Sequence, residues 1–162
     1  MSQPLKIAYL EISPRMTGKT SRLRRMAIDI AVQGKQVVFV CSPGLYDFLR
    51  FKLVGVCVVR DGDPVPDEIN ADTAVWFYDE FDWLKTTQLR AGAYYSTTAS
   101  RQRDPDRDTP SNDLLLRLIE VHGNHYQRFL WPFEMHHLDL AAVRKTMSPA
   151  QFRLNYLGEF IQ

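Results

Sequence analysis

The chain has 162 residues, a length that fits one domain, and a domain of that size buries roughly 70% of the surface its unfolded chain exposes. Its formal net charge of +1 averages unlike stretches: Arg22, Arg24 and Arg25 crowd one segment while Asp61, Asp63, Asp67 and Glu68 crowd another, so bulk charge does not mark a nucleic-acid binder. Cys41 and Cys57 sit in apolar runs that fit neither a disulfide framework nor a zinc spacing, and the sequence has neither a signal peptide nor an apolar run of membrane length, so a soluble cytoplasmic protein without a membrane partner is expected.

Residues 5–12 read as a strand and 19–34 as a helix. The helix's apolar positions Leu23, Met26, Ala27, Ile30 and Ala31 recur at the 3.6-residue period, and Gly34 is its stop. Residues 37–41 form the continuous apolar run of a strand covered on both faces, ended by Ser42, Pro43 and Gly44. A short helix over 45–53, a strand over 54–59, a polar loop over 61–72 and an apolar strand over 74–78 follow. A further strand, 91–95, runs into Ser96, Thr97 and Thr98. This alternation predicts one α/β domain over 1–162, with a mainly parallel central sheet flanked by helices on both faces.

Residues 101–110, rich in Arg, Asp and Pro, read as a solvated, mobile loop. Ser111 is placed to cap a helix over 113–121 that His122 and Gly123 close. Residues 127–133 read as the last strand, although Pro132 weakens the pattern. Ser148, Pro149 and Gln151 supply the N-cap, N1 proline and capping-box partner of a helix stopped at Gly158, in a segment 148–160 that closes the domain.

Between the first strand and the first helix lies Ser13-Pro14-Arg15-Met16-Thr17-Gly18-Lys19-Thr20. It matches G-x-x-x-x-G-K-[ST] at its last three fixed positions, with Ser13 where the pattern has glycine. The helix N-terminus directs N–H groups and a positive dipole end at an anion. Gly18 lets phosphates approach, Lys19 supplies a cation for the β and γ oxygens, and the Thr20 hydroxyl is a Mg²⁺ ligand. An ordinary helix start is the plainer explanation, and the strand–loop–helix order argues against it. The expected fold is therefore that of a P-loop NTPase.

The apolar strand ending Tyr78-Asp79-Glu80 places two carboxylates where doubly wound sheets bind ligands. Asp79 would hold the metal facing Thr20, and Glu80 would orient or deprotonate the attacking water. Carboxylates after a strand also start helices, and Asp82 reads as such a surface or capping residue. Ser96, Thr97 and Thr98 form either a γ-phosphate sensor coupled to the next loop or a Ser/Thr-rich turn. Arg15 would neutralise charge in cis. Arg101, Arg103 or Arg107 would act in trans as an arginine finger, unless they pair with Asp104, Asp106 and Asp108 in a solvated loop. His136 and His137, being adjacent, do not make a metal site, and Trp76, Trp83 and Trp131 read as packing residues.

In their order these motifs resemble the ATPase domain of phage large terminases, the motors that drive viral DNA into a procapsid. That family's phosphate loops often carry proline and arginine ahead of Gly-Lys-Thr, as do Pro14 and Arg15 here. Its strand-plus-Asp-Glu motif is similar to residues 75–80, and its coupling motif to 95–100. The segment Met147-Ser148-Pro149-Ala150-Gln151-Phe152-Arg153-Leu154-Asn155-Tyr156-Leu157-Gly158-Glu159-Phe160 looks like the one that closes the family's ATPase domain.

The resemblance implies ATP and Mg²⁺ as cofactors, a homo-oligomer when active and double-stranded DNA as the translocated partner. It also implies portal and small-terminase-like proteins as further partners, in a host cytoplasm. Three departures stand out: only twelve residues precede Ser13, Asn155 replaces the usual acidic residue, and there is no room for the nuclease domain before Gln162, so the expectation is either an isolated ATPase domain or small stand-alone motor subunit, or a separate nuclease on another polypeptide. Thymidine-kinase-like nucleoside phosphorylation and a nucleotide-binding assembly module without turnover are the alternatives.

Overall fold

The computed structural model describes residues 3–131 and 137–162, so Pro132, Phe133 and His136 of the sequence reading lie outside the described residues. Five strands, β1 (Tyr9–Ile12), β2 (Val37–Cys41), β3 (Cys57–Arg60), β4 (Val75–Asp79) and β5 (Tyr94–Thr97), form a sheet in the order β1-β5-β4-β2-β3. Every pairing is parallel. The chain is thus an α/β domain with an all-parallel sheet. Strand β2 is buried along its whole length, as its unbroken apolar run requires.

Alternation along the strands divides the core into two layers. On one face Val37, Phe39, Cys41 and Phe77 pack against Leu23 and Ala27 of α1 (Lys19–Val32) and Leu49 of α2 (Tyr46–Lys52). On the other, Leu10, Val38, Val40, Tyr78 and Tyr95 pack against Leu115 and Leu118 of α3 (Leu114–Val121), with Phe160. Burying each of these large apolar side chains contributes about 1.5–3 kcal/mol. Aromatic rings run across the α1 face in register: Phe39 stacks on Phe77 at 6.1 Å, Phe77 on Tyr94 at 4.3 Å, and Tyr94 on Tyr9 at 6.3 Å.

Several expected boundaries shift. The fifth strand starts at Tyr94 rather than at 91, because Gly92, at φ 68°, turns the chain just before it. The cap of α3 is Asp113, whose carboxylate accepts from the Leu116 amide, whereas the Ser111 hydroxyl pairs with Thr109. The expected strand over 127–133 reduces, among the described residues, to one parallel bridge between Gln127 and Glu11. A helix α4 (His137–Arg144) was not anticipated.

The Ser148 capping box forms as expected, but its helix α5 (Pro149–Phe152) is short and widens into a π turn, Arg153–Leu157. Gly158 ends that turn at φ 66° against the Pro14 ring, where an added Cβ would lie only 3.1 Å from the Pro14 Cδ. Among the described residues, no helix is long and apolar enough to cross a membrane.

Candidate functional site

The strand order places the ends of β1, β5 and β4 side by side. The 13–18 loop leaves β1, residues 96–98 end β5, and Asp79 and Glu80 end β4, so all three features meet at one rim of the sheet. One step beyond the aromatic row, Glu11, Ser96 and Asp79 align across the three strands on the α1 face. Helix α1 starts at Lys19 after Gly18, at φ 85° and ψ 17°, with no side-chain cap. The first N–H groups of a helix have no partner inside it and remain available to an anion.

Thr20 Oγ1 donates to Asp79, at 2.9 Å from Oδ2 and 3.1 Å from Oδ1, and Ser96 Oγ donates to Oδ1 at 3.2 Å. Asp79 is 1% exposed. Burial first, and then the neighbouring Glu80 charge, push its carboxyl up to about 6. Lys19 is buried; its Nζ donates to the Pro14 carbonyl at 3.0 Å and lies 3.4 Å from Glu80 Oε1. The other Glu80 oxygen accepts from the Thr98 amide at 2.9 Å. Glu80 itself holds a left-handed backbone, φ 54° and ψ 45°, a conformation that costs a non-glycine residue about 1–2 kcal/mol and that clusters at functional sites.

A cavity of about 650 Å³ opens in front of this group, lined by Arg15, Met16, Lys19, Glu80, Trp83 and Thr98. The Thr98 hydroxyl beside it is buried without a hydrogen-bond partner among the described residues. Trp83, expected to be a packing residue, is 49% exposed here, donates Nε1 to the Thr98 carbonyl and lies under the Arg15 guanidinium at 5.2 Å. Trp76 is buried, and Trp131 donates its Nε1 to the Arg15 carbonyl at 3.0 Å. The Arg15 amide donates to the Asn155 carbonyl.

Ser13 is 1% exposed and bonded on both sides, to Glu11 and to the Phe129 amide. Thr17 caps back onto the Pro14 carbonyl at 2.9 Å. Met16, at φ 58°, is exposed. Thr97 is buried and donates to the Thr98 carbonyl.

The arginines of 101–110 are tied within the chain. Arg101 donates to Asp108 at 2.8 Å and Asp113 at 2.9 Å, and exposed Arg107 lies 3.5 Å from Asp104. Arg103 turns inward instead: 3% exposed, it donates to Asp82 at 2.6 Å and to Asp113 at 3.1 Å. It is therefore neither solvated nor free to reach a neighbouring subunit. Asp82, expected as a surface or capping residue, is half-buried, its side chain 9% exposed; burial would raise its pKa, but the Arg103 and Ser100 hydrogen bonds outweigh burial and hold it below the usual range. The residue it caps is Ser100, through both N–H and Oγ.

Sequence reading missed Glu11 and its partner Arg22. The available signal was a carboxylate flanked by Leu10 and Ile12 in a strand of a doubly covered sheet, which must find a cation. No family model, curated protein or solved structure matches this chain.

Proposed function

We propose that the chain is a Mg²⁺-dependent P-loop ATPase. The observation that carries this reading is the placement of Lys19 and Glu80 on one cavity at the rim of the sheet, with the Thr20 hydroxyl already on the Asp79 carboxylate beside them. That pair of hard oxygens suits Mg²⁺, which takes one or two protein ligands and fills its remaining positions with phosphate oxygens and water. Among the described residues no cluster of His, Cys, Asp and Glu would hold a metal alone, consistent with an ion that arrives with the nucleotide. When bound, the ion neutralises charge on the β and γ oxygens.

In this mechanism the triphosphate draws Lys19 away from the Pro14 carbonyl and Glu80. Glu80, still oriented by the Thr98 amide, accepts a proton from the attacking water as the new P–O bond forms and the β,γ-bridging P–O bond breaks. The unpartnered Thr98 hydroxyl supplies a donor for the γ-phosphate or the water. Arg15, held over the Trp83 ring and lining the cavity, supplies a second cation for neutralisation in cis.

Lys19→Ala weakens Mg-ATP binding by about tenfold or more, the scale of a lost charge-assisted contact. Glu80→Gln keeps binding and lowers turnover by about 10² or more. Fluorescent-nucleotide titration and phosphate release measure the two. Equal turnover in Glu80→Gln and wild type would remove Glu80 from the mechanism.

The likeness to terminases supports a further step, in which hydrolysis in a homo-oligomer drives double-stranded DNA, with portal and small-terminase-like proteins and a nuclease on another chain as partners. Transfer of the γ-phosphate to thymidine in the same assay, independent of DNA, would replace this reading with the kinase one. Tight binding without turnover, unchanged by DNA, would leave an assembly module.

A further inference from the structure

Glu11 is fully buried in β1, and strand alternation sends its side chain to the α1 face. Its carboxylate accepts from the hydroxyls of Tyr9 at 2.8 Å and Ser13 at 2.9 Å, and from Nη2 of Arg22 at 2.5 Å and Nε at 3.3 Å. The same guanidinium donates Nη1 to the Thr17 carbonyl at 2.7 Å and lies against the Phe129 ring at 4.0 Å. It also backs Gly18, where an added Cβ would approach Nη1 to 3.1 Å. Ser13 Oγ in turn accepts from the Phe129 amide at 2.9 Å.

One carboxylate thus holds the start of the 13–18 loop directly and its end through Arg22. A charge in a dry sheet is costly unless every lone pair is used, and an apolar side chain would fill this strand position as Leu10 and Ile12 fill theirs.

We propose that Glu11 is a positioning residue that, through Ser13 and Arg22, holds the phosphate loop in its ligand-receiving curvature, and that this bonding stands in for the glycine that opens the common motif. The inference rests on the ATPase reading of the same site. It gives the serine a purpose: in G-x-x-x-x-G-K-[ST] the first position is left to backbone freedom, whereas here it is fixed by a side chain.

The test is Mg-ATP affinity, by titration with a fluorescent ATP analogue, together with steady-state KM and kcat for wild type, Ser13→Gly, Glu11→Gln and the double variant. Ser13→Gly restores the common residue, yet it is expected to weaken binding by about tenfold, with most of the loss in KM. The double variant should be no worse than Glu11→Gln alone, since both break one network. A merely structural role would lower the thermal midpoint while leaving the KM of the remaining folded enzyme unmoved. Ser13→Gly that binds Mg-ATP as tightly as wild type, or tighter, overturns the proposal and leaves the ATPase reading standing. A wild type that neither binds nor hydrolyses Mg-ATP takes down that reading and this inference with it. If Glu11→Gln does not fold, Ser13→Gly still decides.

Discussion

Asp79 carries a charge its surroundings disfavour, and this has a measurable consequence. Its folded pKa, about 6, lies above the ordinary 3.8 of the group because burial and then Glu80 oppose ionisation. The folded state therefore binds the proton more tightly than the unfolded one. The associated stability is fully present below the unfolded pKa and is lost as pH rises through the folded pKa. Asp79→Asn keeps an acceptor for Thr20 and Ser96 and removes the charge. It should be the more stable protein near pH 8, by roughly 3 kcal/mol at most, and converge with wild type as pH falls toward about 4. Urea unfolding across that range checks it; a stability gap independent of pH would show that Asp79 is not held in this state. The same substitution should weaken Mg-ATP binding, a trade of stability for function common at ligand sites.

Among the elements, the 101–113 segment shows where pattern and structure part. Its composition reads as a solvated loop, and for Arg101 and Arg107 that is close to what is found. Arg103 differs because two carboxylates far apart in sequence, Asp82 after β4 and Asp113 at the start of α3, converge on it. No periodicity within the segment encodes that meeting. Arg103→Met leaves Asp82 without its cation, while Asp113 keeps Arg101, and should cost about 3–5 kcal/mol, read as a lowered urea midpoint; a loss below about 1 kcal/mol would mean that water reaches Asp82.

The loop, helix α1, strands β2 and β4, and the Ser148 cap were legible because each is specified locally, by an apolar run, a 3.6-residue stripe or a capping residue. The α3 cap was misplaced because Ser111 and Asp113 both suit the role. Asp113 takes it because its carboxylate reaches the Leu116 amide, while Ser111 is engaged by Thr109. Glu11 was missed because its partner Arg22 lies beyond the loop, in the first turn of α1, and no periodicity within either element pairs the two.

For the whole molecule, the sheet order matters more than any single strand. Inserting β5 between β1 and β4 puts the hydroxyls of 96–98 between the loop and the acidic pair, so that Glu80 bonds the Thr98 amide and, two residues on, Asp82 bonds Ser100 and Arg103. Arg103 in turn bonds by its backbone to Phe160 and Gln162. If the chain is an ATP-driven DNA translocase, duplex DNA should raise its ATP turnover, and the DNA-binding constant should fall steeply with added salt through counterion release. Salt-independent binding, or turnover indifferent to DNA, would separate the ATPase from any translocation.

The contact of Arg15 with Asn155, and of Pro14 with Gly158, joins the 13–18 loop to residues about 140 positions further along the chain. During synthesis the loop therefore waits for residues 155–158 to leave the ribosome before it has an outer wall. A ribosome-held chain halted before residue 150 should ignore nucleotide that the released protein takes up.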